Sequence, residues 1–434
     1  PTATIPAAEK GTLLGTLVHL WPYIWPGDRA DLKMRVIWSV VLLLFAKLAT
    51  LSVPFTFKWA IDALNGAGSA PVEPSNWVLW LIASPVLMTI SYGAVRVIMA
   101  VLTQWRDGIF ARVPVINWAG LQHAGMRAGL ATMGEGWINP AQVKLVGDAV
   151  RAACDKADGS DDALVQDPVG CKAMFKVETL RCAAGKSGDQ CLTDAQIKAI
   201  DTLHATYKFP FTLANGLDDY PGWGVSGENT PAFGPTGGWK AWWLGTTAPA
   251  QPPAPTNGIA WIYGAGGIQY VFARDPKLDV TTYKPEDHRA RVLEVSALMD
   301  STNPDLSRFH ARGGRLVMLE HMADYAQSPY AGIRYFETVE KTLGKDKVAE
   351  FARLYTAPGV DHVGSGAPAN VDMLAVLVDW VENGKAPGDL VVREQKTEAP
   401  SFDTIRALPL CRWPAWPHYK AGPVTEAASF ACAP

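Results

Sequence analysis

Two short stretches constrain this chain more than anything else in it. The first, Gly313–Asp324, reads GGRLVMLEHMAD. Its apolar run Leu316–Leu319 has the length of a buried strand and leads to a carboxylate, Asp324. The second, Pro358–Gly366, reads PGVDHVGSG, a Gly/Pro-rich loop with one histidine, His362. Helical periodicity fills most of the interval. This order lets a strand-end acid meet an imidazole from a later loop, where it would fix the ring's tautomer and stabilise its protonated form. An acid after a strand and a histidine in a loop are each common, so their combination is the informative feature. Glu320 and His321, beside the acid, read as wall residues rather than a metal pair.

Strand, acid, helix, loop, histidine is how the back half of an α/β-hydrolase presents two members of a Ser-His-Asp triad. The third member would stand in a G-x-S-x-G turn, and no such pentapeptide occurs in the 434 residues. Ser226, in GVSGE, and Ser365, three residues after His362, are the substitutes to consider. The pattern predicts helices over Glu286–Met299, Tyr330–Leu343, Lys345–Leu354 and Val371–Asn383 around a strand at Leu316–Leu319. Residues 209–268 are rich in Gly, Pro and Trp and predict a loop-dominated lid. Trp223, Trp239, Trp242 and Trp243 in it could stack on a phenolic ring or simply pack. The tail after residue 405 reads as irregular.

The amino-terminal quarter has a different character. Val36–Phe57 is uncharged except for Lys47, and Trp77–Val95 carries no charge. Each approaches the roughly 20 residues that span a bilayer. Trp21, Tyr23 and Trp25 suit the interface before the first run. Lys10, Arg29, Lys33 and Arg35 precede the first run, Arg106 and Arg112 follow the second, and only Lys58 lies between. The positive-inside rule then puts both ends in the cytoplasm. Net charge is −3, which leaves no nucleic-acid footprint.

All six cysteines, Cys154, Cys171, Cys182, Cys191, Cys411 and Cys432, lie beyond residue 112. No C-x-x-C pair occurs among them, which argues against a zinc ribbon. Neighbour pairing is one of fifteen connectivities, and six free thiols is the alternative. Disulfides would need an oxidising compartment, against the orientation just derived. In DKADGSDD, Asp155, Asp158 and Asp162 flank Gly159, a set that could serve a hard cation such as Ca²⁺ or form a solvated acidic turn. It lacks EF-hand spacing.

Two resemblances sharpen these readings. LWPYIWPGDRADLKMRV, VPFTFKWAIDAL and YGAVRVIMAVLTQWRDGIFARV resemble the elbow helix and first two membrane helices of a heavy-metal or mitochondrial-type ABC exporter. No G-x-x-x-x-G-K-[ST] loop accompanies them. From about residue 107 the chain resembles the carboxy-terminal part of the tannase and feruloyl esterase family. PVINWAGLQ, ACDKADGSDD, CLTDAQ, STNPDLSRFHARGGRLVMLEHMAD, PGVDHVGSG, CRWPAWPHY and SFAC carry this second resemblance, in order. It implies a serine esterase acting on small esters of hydroxylated aromatic acids, with Asp324 as triad acid and His362 as base. It also implies a lid Ca²⁺ held by Asp155, Asp158, Asp162 and the carbonyls of Ser160 and Leu164. The pairs Cys154–Cys171, Cys182–Cys191 and Cys411–Cys432 follow from the same resemblance, as does a periplasmic or secreted location. The amino-terminal part points instead to the inner membrane.

Two departures stand out. The family's Gly-Cys-Ser-x-Gly-Gly stretch precedes PVINW, where this chain has its apolar runs. The cysteine usual after the base is Val363 here. RDGIFAR at 106–112 fits both families, so the chain reads as chimeric. The expected architecture is α/β: a partial α/β-hydrolase core (113–135 and 286–434) with a large inserted lid (136–285). A two-helix transmembrane-type hairpin (1–112), touching the membrane through 36–57 and 77–95, precedes it. Missing strands would leave an apolar sheet edge exposed. Without the serine, the esterase is expected to be inactive; the alternatives are a membrane transport subunit fragment of the exporter type or a non-catalytic chimeric remnant.

Overall fold

A computed structural model describes residues 117–434 except 229, 231–237 and 397–401, together with isolated positions 41, 44 and 61. The chain divides into two compact units, Pro1–Val113 and Pro114–Pro434. The hairpin, the exporter-like segment and the proposed junction at 106–112 lie outside the described residues. Among the described residues no helix is long and apolar enough to cross a membrane.

The second unit opens with helices whose ends are written in the sequence. Helix α1 (Trp118–Ala131) starts where the Asn117 side chain accepts from the Gly120 amide. Helix α2 (Pro140–Cys154) has Pro140 in its first turn and a reciprocal cap between Asn139 and Gln142. A short α3 (Pro168–Met174) follows, capped by Asp167. Helix α4 (Asp194–His204) repeats the capping box with Thr193 and Gln196. The two N3 glutamines also bond each other at 3.0–3.1 Å, so one buried polar pair ties both helix starts together. Apolar faces of these helices meet Trp223, Trp239 and Trp243 in one core. A second core gathers around α1, α5 (Ile259–Gly266) and α6 (Arg289–Met299). A Cβ on Gly264 would stand 2.6 Å from the Met126 backbone, so α5 can approach α1 only with glycine there.

A two-residue pair, β1 (Tyr207–Lys208) and β2 (Asp219–Tyr220), closes one lid loop. After α7 (Ser307–Ala311) comes the hydrolase-like pair. Strand β3 (Leu316–His321) runs parallel to β4 (Ala352–Ala357), with Leu316 opposite Ala352 and His321 opposite Ala357. Their crossover contains α8 (Pro329–Leu343) and α9 (Lys345–Ala349), as parallel pairing requires. Among the described residues β4 is the only strand that pairs with β3.

The expected helix over Lys345–Leu354 is therefore corrected: it stops at Ala349, and Ala352–Ala357 is a strand. Burial decides the difference. Phe351 and Leu354 sit in the core with α8, while Tyr355 and Ala357 sit in the core on the other side. A segment covered on both faces reads as a short apolar run whichever element it forms. The tail is also more regular than expected. After α10 (Met373–Asn383), β5 (Leu390–Gln395) pairs antiparallel with β6 (Thr404–Leu410). Then β7 (Trp416–Tyr419) pairs antiparallel with β8 (Phe430–Ala433). All three neighbour disulfides are present, Cys154–Cys171, Cys182–Cys191 and Cys411–Cys432.

Candidate active site

The site is assembled on the turn that follows β3. Asp324 stands three residues beyond the strand, and its Oδ1 accepts from the amides of Ala326 (2.7 Å) and Gln327 (2.9 Å). The next residues are pinned to the lid. The Ser328 amide donates to the Tyr220 hydroxyl and the Ser328 hydroxyl donates to the Gly222 carbonyl, both at 2.9 Å. A Cβ on Gly227 would lie 2.7 Å from the Ala323 carbonyl, so the lid backbone packs directly on the acid's turn. Asp324 is thereby fixed before any histidine reaches it.

His362 reaches it from the loop after β4. Its Nδ1 lies 2.9 Å from Asp324 Oδ2 and 3.1 Å from Oδ1. That bond is the main reason the imidazole's pKa is raised above its ordinary value, against partial burial that lowers it. The His362 side chain is 46% exposed, and the acid only 16%. Among the described residues nothing is hydrogen-bonded to Nε2. Trp242 and Tyr325 flank the ring at centroid distances of 6.3 and 6.0 Å, and Tyr263 stacks on Trp242. Of the four tryptophans considered from sequence, only Trp242 lies beside the histidine. Trp223, Trp239 and Trp243 are core residues, exposed by no more than 2%.

Glu320 and His321 stand at the end of β3, just before the acid's turn. Glu320 is pushed up to about 8, first by burial and then by the Asp324 charge. His321 donates from Nδ1 to the Asp361 carbonyl at 2.8 Å. Neither substitute serine is bonded to His362. Ser226 has φ 78° and a buried hydroxyl without a partner, while the Ser365 amide donates to Asp361. Sequence reasoning missed Asp361 and Tyr220. An acid placed before a Gly/Ser-rich stretch is a turn-forming signal that points to the first, whereas nothing local marks the second.

The acidic loop begins where α2 ends at Cys154. Gly159 takes φ 91°, a left-handed turn that lets the chain fold back. Asp155 accepts from the amides of Ala163 and Leu164 at 3.0 and 3.2 Å. Asp158 Oδ1 accepts from the Ser160 amide and hydroxyl, each at 2.7 Å. Asp162 accepts from Leu164 and pairs with Arg406. Asp158 Oδ2 is buried with no partner. Burial raises the pKa of both Asp158 and Asp162, and repulsion from neighbouring aspartates adds to it. The loop thus sets three carboxylates, oxygen donors of the kind a hard cation takes, against one guanidinium. Among the described residues, however, no three acidic, histidine or cysteine side chains converge on one point.

A second buried carboxylate was not anticipated. Glu228 is 2% exposed, no side chain among the described residues bonds its carboxyl, and burial pushes it up to about 7 against the backbone amides of Glu228 itself and Ser226, which lower it. Its folded pKa lies above the ordinary value of a glutamate, so the stability it allows is complete at low pH. That stability is lost as pH rises through about 7. Glu228→Gln removes the ionisation. It should stabilise the fold by about 1–3 kcal/mol at pH 8 and by nothing measurable at about pH 4, below the ordinary glutamate range. Urea melts at the two pH values check this, and equal effects at both would contradict it.

Comparison with known proteins gives the chain's family and fold. The family model described as tannase and feruloyl esterase matches residues 103–433. An uncharacterized esterase of Agrobacterium fabrum is 31% identical over 344 residues, covering 75% of this chain and 59% of its own length. A mono(2-hydroxyethyl) terephthalate hydrolase of Piscinibacter sakaiensis is 29% identical over 368 residues, with the same coverage. The crystal structure of feruloyl esterase B from Aspergillus oryzae superposes with a TM-score of 0.59 at 22% identity, covering 74% of this chain and 62% of that one. This likeness shows the α/β-hydrolase-like fold. The chain spans about three-fifths of the length of these relatives. From residue 103 onward, this chain belongs to the tannase and feruloyl esterase family.

Proposed function

We propose that this chain carries the acid–base half of a serine esterase acting on esters of hydroxylated aromatic acids. The supporting observation is the His362–Asp324 bond, set between Trp242 and Tyr325. With Nδ1 committed to the carboxylate, Nε2 is the nitrogen left to take a proton from an attacking hydroxyl and return it to the leaving alcohol. Asp324 holds the tautomer and balances the imidazolium that forms between the two transfers. The flanking rings offer faces on which an aromatic acyl group can stack. The relative named mono(2-hydroxyethyl) terephthalate hydrolase supports an aromatic acyl group, though terephthalate itself carries no ring hydroxyl.

Binding tests this reading without requiring turnover. A ferulate-type methyl ester should perturb the His362 ring resonances and quench tryptophan fluorescence, and Trp242→Ala should remove most of both responses. Absence of binding at millimolar ester would refute the aromatic-ester reading.

For the acidic loop we propose Ca²⁺, held by the carboxylates of Asp155, Asp158 and Asp162 and the carbonyls of Ser160 and Leu164. A bound cation would neutralise buried negative charge. The orphaned Asp158 Oδ2, and the repulsion Asp158 feels from Asp162 and Asp155, support it. Calcium at 100-fold over its Kd should stabilise the unit by about 2.7 kcal/mol, magnesium should do less, and Asp158→Asn should abolish the effect. A melting temperature indifferent to calcium and to chelator would remove the site. The disulfides support maturation in an oxidising compartment.

A further inference from the structure

The histidine loop is tied to the end of β3 at three successive residues. His321 Nδ1 donates to the Asp361 carbonyl (2.8 Å), the Met322 amide to Ala357 (3.0 Å), and the Ala323 amide to Val360 (2.9 Å). Within the loop, Asp361 is fully buried. Its Oδ1 accepts from the amides of Val363 (3.0 Å) and Ser365 (2.8 Å), and its own amide donates to the Ser365 carbonyl (2.9 Å). These bonds close the backbone around His362 from both sides. Asp361 Oδ2 is left buried without a hydrogen bond, one residue from the imidazole.

A buried carboxylate oxygen that no donor satisfies is costly unless its charge acts on something nearby. We propose that Asp361 and His321 are positioning residues for His362. Asp361 closes the histidine loop through Oδ1 and presents a second negative charge behind the imidazole, while His321 fastens that loop to the strand end. In this chain the position after the base is Val363, so backbone clamping rather than a covalent link holds the loop. The charge of Asp361 adds to the upward shift of the His362 pKa, after the dominant effect of Asp324. The titratable side chains set around the imidazole are Asp324 and Tyr325 on the acid's turn and Asp361 on its own loop. The inference rests on the reading of His362 as the base, and its test separates the two.

The test is an NMR titration of the His362 ring in the full chain, assigned by loss of the signal in His362→Gln. Asp361→Asn keeps an oxygen that can accept from Val363 and Ser365 but removes the charge. The His362 pKa should fall by about 0.5 unit, a threefold weaker affinity for the proton, with the melting temperature nearly unchanged. A His362 titration identical to wild type in folded Asp361→Asn overturns the charge role. His321→Asn supplies a second readout. The Nδ1–H signal of the His362–Asp324 bond should broaden or vanish through faster exchange, and a signal as sharp as wild type overturns the tie. Asp324→Asn is the control for the base reading. If it leaves the His362 titration where it was, that reading fails regardless of what Asp361 does.

Discussion

Reducing the three disulfides should unfold the Pro114–Pro434 unit at 37 °C. The closed loops separate their cysteines by 17, 9 and 21 residues. Loop-closure entropy makes each bridge worth roughly 3 kcal/mol, with the shortest loop worth least. The total approaches the net stability of an ordinary domain, about 5–15 kcal/mol. The bridges are not equivalent. Cys154 and Cys171 are each 2% exposed and join the end of α2 to α3 across the acidic loop, so breaking them opens buried structure. Cys411 is fully buried at the end of β6, and its partner lies in β8. Cys182–Cys191 closes a largely exposed loop. Paired alanine substitutions should therefore lower the melting temperature most at 154/171 and 411/432 and least at 182/191. Loss of 154/171 should also weaken any stabilisation by calcium, because Asp155 is the next residue. Melts with and without reductant, alongside a thiol count, decide the matter. Fully reduced protein that melts where the oxidised protein does would defeat the expectation.

The candidate site was legible because its signals are local. Asp324 follows an apolar run, His362 sits in a Gly/Pro loop, and the interval has room for a crossover. The structure then brings the two within 2.9 Å. Strand β4 was not legible, because Phe351–Ala357 is buried on both faces and loses the alternation that separates strand from helix. The lid tryptophans were legible as a group but not individually. Sequence gives no way to tell that Trp223 and Trp243 meet edge-to-face at 4.5 Å in a core while Trp242, next to Trp243 in sequence, faces the histidine. Gly227 posed a similar problem. Its packing against Ala323 arises from a contact across 96 positions of sequence, and composition marks it only as part of a loop. Backbone caps were the most readable feature of all. Asn139 with Gln142 and Thr193 with Gln196 are written three residues apart and need no tertiary context.

The largest effect expected is on catalysis: this chain, as written, should not hydrolyse aromatic esters above the uncatalysed rate by more than a trace. His362 is oriented by Asp324, yet among the described residues no hydroxyl is hydrogen-bonded to its Nε2. Acyl transfer needs a nucleophile within about 2.6–3.2 Å of the base. The neighbouring serines do not supply one, since the Ser226 hydroxyl is buried in the lid and Ser365 is built into the loop through Asp361. Loss of a triad serine costs about 10⁶-fold in kcat where it has been measured on a complete site. What survives such a loss, about 10³–10⁴-fold over water, comes from the oxyanion hole and binding. One oxyanion donor is normally the amide that follows the nucleophile, so that remainder shrinks as well. The measurement is hydrolysis of a chromogenic phenolic ester by the full chain beside His362→Ala. The expected result is equal, near-background rates for both, even while ester binding at Trp242 is intact. A wild-type rate tenfold or more above background that His362→Ala abolishes would mean that His362 already has a nucleophile. The next step would then be to trap the acyl-enzyme and locate the modified residue by mass spectrometry.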